Sequence, residues 1–210
     1  MELLAPAGNW ESLLAAVSNG ADSIYLGGQL FSARHSAENF SSEELKEALF
    51  YAHSQGKKLY LAVNTLLDKR ELTAALQYIE EMYLEGIDAV IVQDFGLMSI
   101  LREALPDLPV HASTQMTIHN AEGCQLLYGQ GLRRVVLARE MAAGEIQLIK
   151  QQVPEMELEV FVHGALCYSY SGQCLFSSMV GQRSGNRGRC AQPCRMPYRL
   201  TTGGKKVMLP

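Results

Sequence analysis

Seven short apolar runs punctuate the chain: Glu2–Ala5, Ser23–Gly27, Lys58–Val63, Ala89–Gln93, Val110–Thr114, Arg134–Ala138 and Leu158–Val162. They are continuous rather than alternating, which is the pattern of strands covered on both faces in a parallel sheet. Between them lie amphipathic stretches of helical period at Trp10–Asn19, Ser42–Ser54, Glu71–Glu85, Gly96–Ala104, Ala121–Gly129 and Ala142–Gln152. The second opens on Ser41-Ser42-Glu43-Glu44, a capping-box start that places carboxylates at the positive end of a helix.

An internal echo supports a repeated unit. Asn19-Gly20-Ala21-Asp22 leads into one run, Glu85-Gly86-Ile87-Asp88 into another and Gln130-Gly131-Leu132 into a third. In each case a glycine closes a helix and the chain enters a strand. Seven strands with six intervening helices predict an α/β protein, a parallel TIM-type (β/α) barrel, with a doubly wound open sheet as the alternative. A full barrel needs an eighth strand and usually about 250 residues. The apolar Val207-Met208-Leu209-Pro210 reads as the start of one more run, so the barrel is expected to be incomplete here. Residues 1–166 are assigned to the barrel and 167–210 to a cysteine-rich basic segment opening a further region or meeting a partner chain.

Charge sharpens this division. Residues 1–159 hold 11 Lys/Arg and 22 Asp/Glu, a net of −11, whereas residues 160–210 hold 7 Lys/Arg and no acid. A basic tail on an acidic body suggests an anionic partner, such as phosphate, carboxylate or RNA backbone, or pairing of the tail with its own body. No segment approaches about 18 uninterrupted apolar residues, and the start lacks a secretory pattern. A cytoplasmic location without membrane contact is expected, where cysteines serve as free thiols, metal ligands or redox groups.

In parallel barrels the chemistry gathers where strands end. Those ends carry Asn9, Asn64-Thr65, Gln93-Asp94, Ser113-Thr114-Gln115, Arg139-Glu140 and His163-Gly164, a set able to line one polar mouth. Each could equally be a cap or turn residue. The loop after the second strand adds Phe31-Ser32-Ala33-Arg34-His35 and Asn39-Phe40, whose Arg34 could clamp an anion. Arg34, Asn64, Gln115, Glu140 and His163 are the candidate catalytic residues.

Four cysteines follow within 28 residues, spaced Cys167-x6-Cys174-x15-Cys190-x3-Cys194. The fifth, Cys124, sits in an amphipathic helix and reads as a small buried hydrophobe. Zinc ribbons favour paired C-x2-C knuckles, which neither spacing matches. An iron–sulfur cluster accepts thiolates from irregularly spaced loops, while zinc and unmetallated redox thiols stay open. Arg183, Arg187, Arg189 and Arg195 would offset the charge of thiolate-bound iron and are also the candidate RNA-binding residues. Tyr168, Tyr170, Leu175, Phe176 and Met179 could shield a cluster or simply pack in a core.

The stretch Glu159-Val-Phe161-Val-His163-Gly164-Ala165-Leu166-Cys167, continued by Gly172-Gln-Cys174-Leu-Phe176-Ser177, resembles the signature of the collagenase-like peptidase family, U-type family thirty-two. Leu3-Leu4-Ala5-Pro6-Ala7-Gly8, the Gly20-Ala21-Asp22 turn and the Arg34…Asn39-Phe40 loop resemble the first half of that family. Phe176 departs from the pattern, which usually has a smaller aliphatic there. The resemblance implies either a collagenase-like peptidase or an oxygen-independent hydroxylase. Hydroxylases of the family carry a 4Fe-4S cluster on four cysteines and modify a tRNA wobble uridine, an rRNA cytidine or a quinone ring. For the RNA-modifying members it implies prephenate, an anionic metabolite, as oxygen source. Cys167, Cys174 and Cys190 match its ligand positions, with Cys194 or a downstream residue as the fourth.

Peptidase chemistry would leave traces that are missing. No histidine precedes a glutamate, so there is no His-Glu-x-x-His, and there is no Gly-x-Ser-x-Gly elbow. A Cys167–His163 pair is conceivable but crowded by three further cysteines. The expectation is therefore an iron–sulfur-dependent RNA hydroxylase acting on tRNA or rRNA, with a peptidase as one alternative. The other is a zinc-stabilised RNA-binding module without catalysis, using Tyr168, Tyr170, Phe176 and Tyr198 to stack on a base.

Overall fold

A computed structural model describes residues 1–33, 38–199, 201–202 and 205–206. Seven strands form one sheet: β1 (Leu4–Ala7), β2 (Ser23–Leu26), β3 (Lys58–Val63), β4 (Ala89–Val92), β5 (Val110–Ala112), β6 (Arg134–Val136) and β7 (Glu157–Glu159). All neighbours pair in parallel, and spatial order equals chain order. That order gives a curled half-barrel and excludes the doubly wound alternative, whose strand order reverses at a switch point. The connections are α1 (Trp10–Ser18), α2 (Ser42–Ser54), α3 (Lys69–Leu84), α4 (Phe95–Ala104), α5 (Ala121–Gly129) and α6 (Ala143–Gln152).

Strand periodicity sorts the side chains onto two faces. Ile24, Leu26, Leu59, Leu61, Val63, Val90 and Val92 face outward and pack under Leu45, Leu49, Ile79, Met82, Leu97, Leu101 and Leu127 of the helices. The inner face is thinner, with Tyr60, Ala89 and Ile91 meeting Leu4 and Tyr25. Helix starts are fixed by side chains: Asn9 caps α1, Ser41 and Glu44 form the expected capping box of α2, and Asp68 with Glu71 forms one on α3. The last box starts α3 two residues earlier than periodicity alone indicates. The three echo glycines all take left-handed backbone, φ 91° at Gly20, 95° at Gly86 and 89° at Gly131, which a side chain would strain. Cys124 is fully buried in α5, and burial pushes its thiol up to about 11, as a small hydrophobe should behave.

At the N-terminal end of the strands the inner face carries charge. Arg134 of β6 donates to both carboxylate oxygens of Glu2, at 3.0 and 2.9 Å, and to Glu157 of β7 at 2.8 Å. Tyr60 donates to Glu2 at 2.7 Å and lies edge-on to His111 of β5, with centroids 4.9 Å apart. The Arg134 hydrogen bonds hold the Glu2 carboxyl down to about 2 against the opposing effect of burial. Burial depresses His111 to about 3 and raises Glu159, whose Oε2 lacks a hydrogen-bond partner, to about 7. The Leu3 N–H is taken by the Asp22 carboxylate at 2.8 Å and the ladder begins at Leu4, so β1 runs Leu4–Ala7 rather than from Glu2. β5, β6 and β7 are each shorter than their apolar runs, because the ladder ends before the chain turns into the mouth loops.

Beyond β7 come one short helix, α7 (Phe176–Gly181), and a two-residue antiparallel pair, β8 (Thr201–Thr202) with β9 (Lys205–Lys206). The expected apolar run at Val207–Leu209 lies outside the described residues. Among the described residues no helix is long and apolar enough to cross a membrane.

Candidate active site at the barrel mouth

Several polar strand-end residues prove to be structural. Asp94 caps α4 through Leu97 N and also accepts from Leu67 N; Ser113 caps the 3-10 turn at Thr114–Met116. Asn64 accepts from Ala33 N at 3.0 Å, tying the end of β3 to the loop after β2. Arg34, expected in that loop, lies outside the described residues. Gln93, at the end of β4, is buried on the inner face. Its Nε2 donates to Gln115 O at 3.4 Å and its Oε1 has no hydrogen-bond partner.

The cysteine-rich segment is docked across this mouth by polar contacts. Glu140 accepts from the backbone N–H of Ser171 at 3.0 Å and from its hydroxyl at 3.2 Å. Thr117 donates to Ser171 O and accepts from Gln173 Nε2. Between them Gly172 takes φ 78°, and a Cβ there would lie 2.1 Å from Gln115 O. Only glycine permits that approach, which gives the glycine of the Gly-x-Cys motif a physical reason. Thus Glu140 and Gln115, expected as catalytic groups, form the seat of the segment, while the half-buried Asn64 anchors a loop.

The arginines behave as fasteners. Arg187 donates to Leu66 O and pairs with Glu71 at the start of α3, holding the Glu71 carboxyl below its usual range. Arg195 donates to Leu166 O at 2.8 Å and lies over the Tyr168 ring, and Arg183 donates to Arg189 O. Arg139 stacks 4.0 Å from the Phe161 ring centroid and donates to Ala165 O. The tail therefore pairs in part with its own acidic body, and at least three of the four expected RNA-binding arginines hold this chain together. His163 is exposed and lines a cavity of about 200 Å³ with Arg139 and Phe161.

Cys167, Cys190 and Cys194 are exposed, Cys174 is half-buried, and all are free thiols. Cys174 Sγ accepts from Phe176 N at 3.4 Å and Cys190 Sγ from Gln192 N at 3.3 Å. Ala191 N donates to Ser177 of α7, and Arg195 ties the neighbourhood of Cys194 to Leu166, next to Cys167. Four thiols with backbone N–H groups aimed at two of them suit thiolate ligation of a metal or cluster. Among the described residues, however, no three Cys, His, Asp or Glu side chains are gathered as a metal-holding group. The flanking Tyr168, Tyr170, Leu175 and Met179 are exposed rather than packed in a core. No nucleophile–base pair of a peptidase is assembled by the histidines that are bonded or buried: His53 bonds Asp88, His119 bonds a backbone carbonyl and His111 is sealed inside the barrel.

A sequence profile described as peptidase family U32 matches residues 8–208. The chain is 42% identical over 208 residues to the 23S rRNA 5-hydroxycytidine C2501 synthase of Escherichia coli, covering 99% of this chain and 31% of that protein. It is 40% identical over 210 residues to tRNA hydroxylation protein P1 of Bacillus subtilis, covering 99% of this chain and 50% of that one. A protein named collagenase from Porphyromonas gingivalis is 36% identical over 208 residues, with 94% and 50% covered. A solved U32 peptidase structure superposes with a TM-score of 0.66 at 17% identity, covering 80% of this chain and 70% of that one, which is a likeness of fold. The chain spans half the length or less of these curated relatives.

Proposed function

The chain belongs to peptidase family U32, and on that footing we propose that it is the barrel portion of an RNA hydroxylase acting on an unpaired pyrimidine of tRNA or rRNA. The observation that carries this reading is identity of about 40%, over 99% of the chain, to proteins named for tRNA hydroxylation and rRNA hydroxycytidine synthesis. The docking of the cysteine-rich segment over the barrel mouth agrees with it, because barrel chemistry gathers at that end. In this reading Cys167, Cys174, Cys190 and Cys194 hold a 4Fe-4S cluster, which when bound supplies one-electron chemistry. The residues beneath it position the segment: Glu140 fixes Ser171, and Gly172 allows its backbone to rest on Gln115. The mouth receives the small anionic co-substrate, for which the resemblance implies prephenate. The segment covering the mouth limits access of water to it.

Anaerobic purification of the full-length protein, with iron and acid-labile sulfide measured, tests the centre. About four of each per chain are expected, with loss of both in Cys174→Ala. Stoichiometric zinc would replace this reading by that of a zinc-stiffened RNA-binding module. The reaction is tested by nucleoside mass spectrometry of tRNA and rRNA from cells lacking the protein. A hydroxylated pyrimidine should disappear, and an unchanged nucleoside profile would overturn the reaction.

A further inference from the structure

The cavity beside Phe161 lies next to the contacts that dock the segment, and among the described residues no polar contact of His163 or of the Phe161 ring face with the segment fills it. It measures about 200 Å³ and opens where β6 and β7 run out, with walls from Arg139, Phe161, His163, Gly164 and Leu166. That is smaller than the roughly 300–1,000 Å³ of sites that enclose a whole drug-sized ligand, so it suits a single ring rather than a complete nucleotide.

Its chemistry is that of flat surfaces. Phe161 is partly exposed, and the Arg139 guanidinium lies 4.0 Å from its ring centroid. One N–H of that guanidinium is spent on Ala165 O, which fixes the plane and leaves the rest of its five-donor fork for an acceptor. His163 adds a third planar group. The Arg139 backbone N–H reaches Ser171 Oγ, so the loop carrying this wall is tied to the docked segment. Leu166, the last wall residue, directly precedes Cys167, and its carbonyl is held by Arg195.

We propose that this cavity is the base-binding subsite, which takes one unpaired pyrimidine stacked against the Arg139–Phe161 pair. The idea rests on the RNA-hydroxylase reading above and names where its substrate enters. Planar side chains grip an unpaired base without needing the complement of a duplex, and a base lifted from its stack is read by hydrogen bonds to its edge. Arg139 and His163 supply groups for the carbonyl oxygens of such an edge. A carboxylate would need the guanidinium fork alone and would gain nothing from the Phe161 face.

The test uses the full-length protein and binding alone. The probe is a short hairpin RNA with one unpaired uridine in its loop, compared with the same hairpin abasic at that position. Stacking of a base on an aromatic side chain corresponds to roughly a five- to hundredfold change in affinity. Loss of the base should weaken binding to the native protein by about that factor. In Phe161→Ala the two hairpins should bind alike, and in Phe161→Trp the discrimination should return. Arg139→Lys, which keeps the charge and loses the plane, should reduce discrimination while leaving the salt dependence of binding unchanged. Circular dichroism melting of each variant controls for folding. Undiminished discrimination in Phe161→Ala would overturn the subsite; if the nucleoside experiment still shows the modification, the hydroxylase reading survives it. Equal binding of both hairpins by the native protein would also overturn the subsite, and joined to unchanged nucleosides it would remove both ideas.

Discussion

The barrel body and the segment that follows it are held by different forces. In the body, two layers of aliphatic side chains close over one another, and residues such as Ile24, Leu61 and Leu101 are wholly sealed from water. From Val160 to Arg199 the only buried residues are Ser171 and Ser177, while Val162, Leu166, Tyr168, Met179 and Tyr198 are exposed. The body folds by burial. The segment has no core of its own and rests on hydrogen bonds, one glycine contact and arginine fasteners. Stretches that cannot bury enough apolar surface are commonly stapled by a metal or disulfides. Four free thiols in just such a stretch make the same case for a metal that their spacing makes.

The contrast can be broken by mutation. Leu61→Ala, in the middle of β3, should cost about 2–5 kcal/mol, seen as a lower midpoint of whole-barrel unfolding. Glu159→Gln tests the border between the two regions. Its carboxyl is raised by burial to about 7 from 4.5, so in the native protein it destabilises progressively as pH rises from about 4.5 to 7. Replacement should leave stability at pH 4.5 nearly unchanged and raise it by about 3 kcal/mol at pH 8 in denaturant titrations. His111 runs the other way: depressed to about 3, it adds stability as pH climbs towards 6.5. The variant should therefore grow steadily more stable across that window, whereas the native protein should change little. A flat response in the variant would contradict the burial of His111, and an unchanged stability at pH 8 would contradict that of Glu159. The smallest effect belongs to Gly172→Ala, which introduces about 1–2 kcal/mol of backbone strain and a clash with Gln115 O. It should expose residues 160–199 to limited proteolysis without lowering the barrel midpoint. If it lowers that midpoint as much as Leu61→Ala, body and segment form one cooperative unit and the contrast fails.

The body was legible because its signals are local. Each apolar run is bounded by a cap or a closing glycine, so seven strands and six helices follow from the sequence, with errors of a few residues at their ends. The β1 boundary does not follow from the apolar run, because the Leu3 N–H is taken by the Asp22 side chain, 19 positions away, and the ladder begins only at Leu4. The cysteines and Gly172 stand out in the sequence, but the reason for the glycine does not, since the carbonyl it meets is on Gln115. The basic character of the tail is legible, but not that Leu66 O and Glu71 hold Arg187. Glu140 is readable as a polar strand-end residue, but not the hydrogen bond it accepts from Ser171, 31 residues on. Charged and polar residues choose partners through space, and a linear pattern does not report that choice.

The link between Glu2 and Arg134 also closes a curve. Each strand pairs with the one before it in the chain, so the ladder by itself defines a ribbon with two edges. The Glu2 carboxylate, just ahead of β1, meets its cation on β6, with four strands between them. One arginine thus works as a chord across the arc, and holds a ribbon of neighbours as a curved wall with a fixed interior.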